Sequence, residues 1–312
     1  MAQVECFVGI DVSKRELEVA AYPSGASFRL ANSEAGWAEL VQRLAALSPR
    51  LVVLEPTGGY EKAARRALLA AGLRARRVDA WRVRRYAEAL GRRAKTDPID
   101  AQVLARFAHD VAKHEPEAQE RAHPRLCALV EARAQLVQEQ IRLDNQLAQA
   151  DDDLVCGMIR QRRDLVEQQI KAVLAALDAL IAEDAELKAR FSLLRTAPGV
   201  GPVTAFTLMA RMPELGARDA KSIAALAGVA PCDRKSGTFR GRSSIQGGRA
   251  DIRRVLYMAA LGACKAYPAW QAIRQKIIAK GNRPKVGIVA IMRRLLVTLN
   301  AMLRSSQPFL AA

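Results

Sequence analysis

Short apolar runs broken by turn residues open the chain. Val4 to Ile10 is the first, ending at Asp11; Leu17 to Tyr22 follows a tight connection, and Ser27 to Leu30 follows Pro23-Ser24-Gly25. The pattern predicts three short strands. Asn32-Ser33 then reads as the cap of a helix whose apolar face includes Trp37, Leu40, Val41 and Leu44. Leu51 to Leu54 reads as a fourth, buried strand that stops at Glu55-Pro56-Thr57-Gly58-Gly59. A helix near Tyr60 to Ala71, an extended stretch around Arg76 to Val78 and a helix over Arg82 to Leu90 come next. A last helix, Pro98 to Ala112, is entered through Asp97-Pro98. Strands followed by alternating helices and strands predict an α/β domain over residues 1–115.

From 116 to 190 the pattern changes to a charged stretch almost without Gly or Pro, rich in Ala, Leu, Gln, Glu and Arg. Ile170, Leu174, Leu177 and Ile181 recur at alternating spacings of four and three. That is the seam of a helical coiled-coil or dimerisation arm, or equally of a hairpin packed within one chain. Residues 191–312 read as a mostly helical C-terminal domain. It opens on Thr196-Ala197-Pro198-Gly199-Val200-Gly201-Pro202, a Gly-rich turn between apolar helices. This turn is either a helix-hairpin-helix element, whose amides hold a backbone phosphate, or an ordinary connection.

Composition adds a partner. The net charge is +17 over 312 residues, and it is concentrated. Glu61 to Lys95 holds 12 basic and 3 acidic residues, and Arg234 to Arg294 holds 15 basic residues and one acid, Asp251. Solvated faces usually mix signs, so blocks this lopsided favour phosphate contact. A membrane fits less well. No signal core follows the N-terminus, and the apolar stretch Thr196 to Ala210 is short and broken by Pro198, Gly199, Gly201 and Pro202. A soluble intracellular protein is expected. Five scattered cysteines without a CxxC pair predict neither a disulfide framework nor structural zinc.

Four carboxylates stand where chemistry could use them. Asp11 ends the first strand and Glu55 the fourth; if those strands are neighbours, both acids emerge at one edge of the sheet. Asp97 and Asp100 share a face at i and i+3 on an opening helical turn. Acidic oxygen ligands suit Mg²⁺ or Mn²⁺, and two such ions flanking a phosphate cleave phosphodiesters. Each acid also has a structural reading, above all Asp97-Pro98-Ile99-Asp100, which fits a helix start with Asp97 as N-cap.

At these positions the chain resembles a known family. Gly9-Ile10-Asp11-Val12-Ser13-Lys14, Glu55-Pro56-Thr57-Gly58 and Lys95-Thr96-Asp97 to Asp100-Ala101 are similar to the DEDD transposases of IS-110/IS-1111-type insertion sequences. So are Pro198-Gly199-Val200-Gly201, Leu226 to Pro231, Ser236-Gly237, Gly247-Gly248-Arg249 and Arg253 to Tyr257, in the same order. The resemblance implies an N-terminal RuvC-like domain of RNase H fold with Asp11, Glu55, Asp97 and Asp100 as its metal-binding tetrad. It also implies a coiled-coil arm and a C-terminal transposase domain with Ser236 as nucleophile. Donor and target DNA, a structured guide RNA encoded by the element, and a homo-dimer or tetramer are the implied partners. The implied location is the prokaryotic cytoplasm, at the nucleoid when acting.

The residues alone would not single out Ser236 among twelve serines. Its neighbours Arg234, Lys235, Arg240 and Arg242, with Arg249 and Arg253 farther on, could hold a phosphate as the hydroxyl attacks. Rival readings are a junction resolvase or nuclease using water, a non-catalytic transposase-derived DNA-binding protein, and an actin-like sugar kinase. The last would need further Gly-rich phosphate loops and would leave the C-terminal basic block without a role.

Overall fold

Alternation along the N-terminal strands sorts their side chains onto the two faces of one sheet. The computed structural model describes residues 5–91, 97–111, 113, 123–232, 235–236, 239–240 and 244–310. It divides into two compact units, 1–117 and 118–312.

In the first unit, β1 (Phe7–Val12), β2 (Glu16–Tyr22), β3 (Ser27–Ala31), β4 (Leu51–Leu54) and β5 (Ala75–Arg77) form a sheet of order β3-β2-β1-β4-β5. The β1–β2 and β2–β3 pairs are antiparallel; β1–β4 and β4–β5 are parallel. This mixed α/β arrangement is consistent with the RNase H-like expectation. Val8, Ile10, Val12, Val52 and Leu54 face α1 (Glu34–Leu47) and α2 (Glu61–Ala70), where they meet Leu40, Leu44, Ala64 and Leu68. Phe7, Leu51 and Val53 face the other way, onto Val83 of α3 (Ala80–Ala89) and Val103, Leu104 and Phe107 of α4 (Asp97–Asp110). A fully buried Leu, Ile or Phe contributes about 1.5–3 kcal/mol, and a one-residue slip would turn every such side chain to the wrong face, so the register is strongly set. The first strand runs one residue past its expected end at Asp11. Pairing of Asp11 with Glu18 and Val12 with Leu17 carries the ladder through the acid.

The second unit is helical: α5 (Pro124–Leu147), α6 (Asp153–Glu183), α7 (Ala185–Arg195), α8 (Pro202–Arg211), α9 (Ala220–Leu226), α10 (Ala250–Ala266), α11 (Pro268–Ala279) and α12 (Pro284–Ser305). Four two-residue strands lie between α9 and α10: β6 (Pro231–Cys232), β7 (Lys235–Ser236), β8 (Phe239–Arg240) and β9 (Ser244–Ile245). The heptad-like seam on α6 is used within the chain. Leu177 and Ile181 enter the main helical core beside Leu126 and Val130 of α5, and Ile170 packs with Leu143, Ile159 and Val166. The helical stretch expected as an arm thus shares a core with the C-terminal helices. By length and composition α12 is apolar enough to cross a membrane, a segment the sequence reading passed over. Its Ile288, Ile291, Leu295, Leu296 and Leu299 are buried in that same core. Cys6, Cys127, Cys156 and Cys264 are free.

Candidate functional site

Because β1 and β4 are parallel neighbours with Ile10 opposite Leu54, Asp11 and Glu55 occupy the next position on each strand. The Glu55 N–H donates to the Ile10 carbonyl at 3.3 Å, extending the pairing one residue beyond β4. Strand alternation sets both acids in phase with Phe7, Leu51 and Val53, on the α4 face.

Gly9 brings α4 down onto that face. A Cβ there would lie 2.2 Å from the Ala105 nitrogen and 2.4 Å from the Ala101 oxygen, so helix backbone rests directly on strand backbone. Farther along, His109 packs edge-on against Phe7, with ring centroids 5.2 Å apart. The helix therefore runs antiparallel to β1. Its first turn, with Asp97 and Asp100, reaches the same end of the strand as Asp11. Asp100 is half-buried; the Asp97 backbone begins α4, and its side chain lies outside the described residues.

Asp11, Glu55 and Asp100 each take part in a polar or electrostatic interaction. No group of three acidic, His or Cys side chains among the described residues is gathered closely enough to hold a metal ion. What converges is the backbone that carries the acids, from two strands and one helix start. Their chemistry, oxygen donors only, fits a hard divalent cation.

Two features of this edge escaped the sequence reading. Glu61, only 1% exposed, accepts from the Thr57 N–H at 3.3 Å and pairs with Arg77 Nε at 3.3 Å, tying the loop after Glu55 to the end of β5. Asn32 donates to the carbonyls of Ser13 (2.9 Å) and Tyr60 (3.3 Å) and accepts from Trp37 Nε1 at 2.7 Å, joining the loops after β1 and β4. A lone Glu at a helix start reads as a dipole partner, and an Asn before Ser33 as part of the cap; neither pattern signals a clamp. A third feature is a row across the strands. Asp11 sits opposite Glu18, and Glu18 opposite Arg29, whose Nε reaches the Glu18 carboxylate at 2.7 Å.

In the second unit, Ser236 lies in β7, which pairs antiparallel with β8; Ser236 faces Phe239 and Lys235 faces Arg240 in the register. Pairing of β6 with β9 closes the base of this segment. Arg234 and Arg242 lie outside the described residues, as do the side chains of Ser236, Lys235 and Arg240. Arg249 forks onto Glu214, Nη1 to Oε2 at 2.8 Å and Nη2 to Oε1 at 2.6 Å, and donates to the Arg211 carbonyl at 2.7 Å. Burial pushes the Glu214 carboxyl up, and the Arg249 guanidinium outweighs it, holding the group below the usual carboxylate range. Arg253 donates to the Gly247 carbonyl, beside the point where Gly228 and Gly248 touch backbone to backbone. Both arginines brace the fold beside the segment of Ser236. The Pro198–Pro202 turn is also tightly packed: a Cβ on Gly199, at φ +79°, would lie 2.2 Å from the Ala259 oxygen of α10.

Comparison with known proteins gives two family matches along the chain, the first of which crosses the boundary between the two units. A DEDD transposase model of the IS110 type matches residues 8–155, and a model described as transposase IS116/IS110/IS902 family matches residues 191–275. The chain is 29% identical to the pilin gene-inverting protein of Moraxella bovis, over 97% of both chains. Its counterpart from Moraxella lacunata is 28% identical over the same shares. An insertion element IS110 protein of Streptomyces coelicolor is 27% identical over 49% of this chain and 37% of its own length.

Proposed function

Since the chain belongs to the IS110 family of transposases and is a DNA-recombining enzyme, we propose that it excises and inserts its own insertion sequence through an acidic tetrad and a serine nucleophile. The convergence of Asp11, Glu55 and the start of α4 on one sheet edge carries this reading. Asp11, Glu55, Asp97 and Asp100 would hold Mg²⁺ or Mn²⁺, which neutralises charge on the scissile phosphate and polarises it for attack. The carboxylates would act on that phosphate only through the cation they hold, and the Glu61–Thr57 clamp keeps the Glu55 loop in place.

In the proposed reaction the Ser236 oxygen bonds to phosphorus while the bond from phosphorus to the 3′ oxygen breaks. The hydroxyl proton leaves to a carboxylate or solvent, and the departing 3′ oxygen takes up a proton. The product is a covalent protein–DNA phosphodiester and a free 3′-hydroxyl. Attack by a new 3′-hydroxyl reverses the step and rejoins the strands without ATP. Lys235 and Arg240, with Arg234 and Arg242, steady the phosphate at Ser236. Donor and target DNA are the substrates; an element-encoded structured RNA pairs with both, and the working form is a homo-dimer or tetramer. The net charge of +17 supports polyanionic partners. The exposed apolar side chains Leu154, Met158 and Leu165 on α6 support self-association.

Denaturing gels of the protein with radiolabelled donor DNA test the proposal. Wild type gives a protein-linked DNA band; Ser236→Ala gives none, and Asp11→Ala loses cleavage altogether. A persistent adduct in Ser236→Ala rejects the nucleophile, and cleavage without any adduct in wild type indicates a water-using nuclease.

A further inference from the structure

Only two aromatic side chains among the described residues are exposed, Tyr60 at 43% and Trp81 at 56%. Both stand at the edge of the sheet that carries Asp11 and Glu55. Tyr60 closes the loop after Glu55, its N–H bonded to the Thr57 carbonyl at 3.1 Å. Trp81 opens α3 just past β5, where the Val78 N–H still bonds to the carbonyl of Leu54, the residue before Glu55. Asp79 fixes that helix start by accepting from the Trp81 N–H at 2.8 Å.

Large aromatic rings are normally buried, because each removes roughly 150–250 Å² from water. Here Phe7 and Phe107 obey that rule and these two rings do not. Their surroundings are cationic. The Arg85 guanidinium lies 5.4 Å from the Trp81 ring centroid, Arg82 and Arg84 share the helix with a single acid, Glu88, that pairs with Arg84 and Arg85, and Lys62 stands two positions past Tyr60. Exposed rings among cations are the combination that holds an unpaired nucleic-acid strand, with bases stacked on the rings and phosphates neutralised beside them. A duplex hides its base faces in its own stack and can use only the charges.

We infer that Tyr60 and Trp81 form a stacking platform for unpaired DNA flanking the scissile phosphate. The occupant is DNA because the platform shares its edge with the acids proposed to engage that phosphate. The inference rests on that reading of the acidic edge. It gives the basic block from Glu61 to Lys95 a role: holding open the strand to be cut.

The full-length protein carries its own probe. Trp270 is 3% exposed and Trp37 is half-buried and bonded to Asn32, so Trp81 is the tryptophan a strand can reach. Titration with single-stranded oligothymidylate is expected to quench Trp emission, with binding followed independently by anisotropy of a labelled strand. Trp81→Ala lowers single-strand affinity by ~5- to 100-fold and Tyr60→Ala by less. Trp81→Phe stays within about threefold of wild type, and duplex affinity moves by less than about twofold. Asp11→Ala keeps the quenching while losing cleavage, which separates failure of the platform from failure of the acidic site. The platform is rejected if the strand saturates the protein with emission unchanged, or if Trp81→Ala weakens duplex and single strand alike. Quenching by oligouridylate but not by oligothymidylate assigns the rings to RNA and rejects DNA as occupant.

Discussion

Asp11 and Glu55 in the first unit and the Arg249–Glu214 fork in the second stand in opposite settings. In the first, Asp11 and Glu55 stand at the rim of a sheet that has helices packed on both faces. In the second, the Arg249–Glu214 fork is built into the packing itself, with the Glu214 side chain only 7% exposed. A charge at a sheet rim keeps part of its surface in solvent. A charge in a buried fork is committed to its partner, however suggestive its neighbourhood in sequence.

The contrast breaks most sharply at Gly9. Its neighbours are helix backbone atoms, so Gly9→Ala cannot be relieved by turning a side chain, and α4 must move outward. Overpacking of this kind costs about 1–3 kcal/mol. It also displaces the helix turn bearing Asp97 and Asp100, and a misplacement near 1 Å can lower turnover roughly a hundredfold. Urea denaturation and strand-cleavage assays of Gly9→Ala check both effects. Wild-type cleavage in a destabilised variant would mean that the α4 acids do not act.

In the second unit the corresponding test is Arg249→Ala, which strands a buried carboxylate. A wholly buried pair broken this way costs about 3–5 kcal/mol; with Arg249 about a third exposed, about 2–3 kcal/mol is expected in urea denaturation. Glu214→Gln in the same chain recovers part of the loss, since no unpaired charge remains. The pH dependence has a definite sign. The folded-state carboxyl of Glu214 is depressed, so its contribution is complete above the ordinary Glu value of about 4.3 and is lost as pH falls below it. The slope of log K for DNA against log salt is unchanged in Arg249→Ala, whereas Arg240→Ala lowers its magnitude by about 0.9 if Arg240 meets a phosphate.

This difference also decides what the sequence revealed. The strands were legible because apolar runs bounded by turn residues have few alternatives, and the edge of Asp11 and Glu55 followed from neighbouring strands alone. The approach of α4 was not legible. Gly9 reads like any strand glycine until the helix lying on it is known. The fork of Arg249 was hidden for the converse reason: fifteen basic residues crowd its segment, and nothing local shows that one of them is half of a buried fork. Its partner Glu214 lies 35 positions away, beyond any periodicity. The α6 seam was visible as a repeat, yet a repeat does not say whether its partner is α5 or another chain.

Arg29→Ala carries the smallest expected effect and probes the rim most finely. Asp11 and Glu18 are directly opposed on antiparallel strands, where like charges are unfavourable. Arg29 offsets that repulsion through its ion pair with Glu18. The pair is partly solvated, so its loss lowers stability by no more than about 0.5–1 kcal/mol. Without Arg29 the negative charge around Asp11 grows, and a divalent cation bound there would relieve it. Melting curves of Arg29→Ala should therefore show a deficit in chelator that shrinks as Mg²⁺ is added, while wild type gains less from the same addition. An equal Mg²⁺ response in both proteins would mean that Glu18 and Arg29 stabilise the sheet without contributing to the field at Asp11.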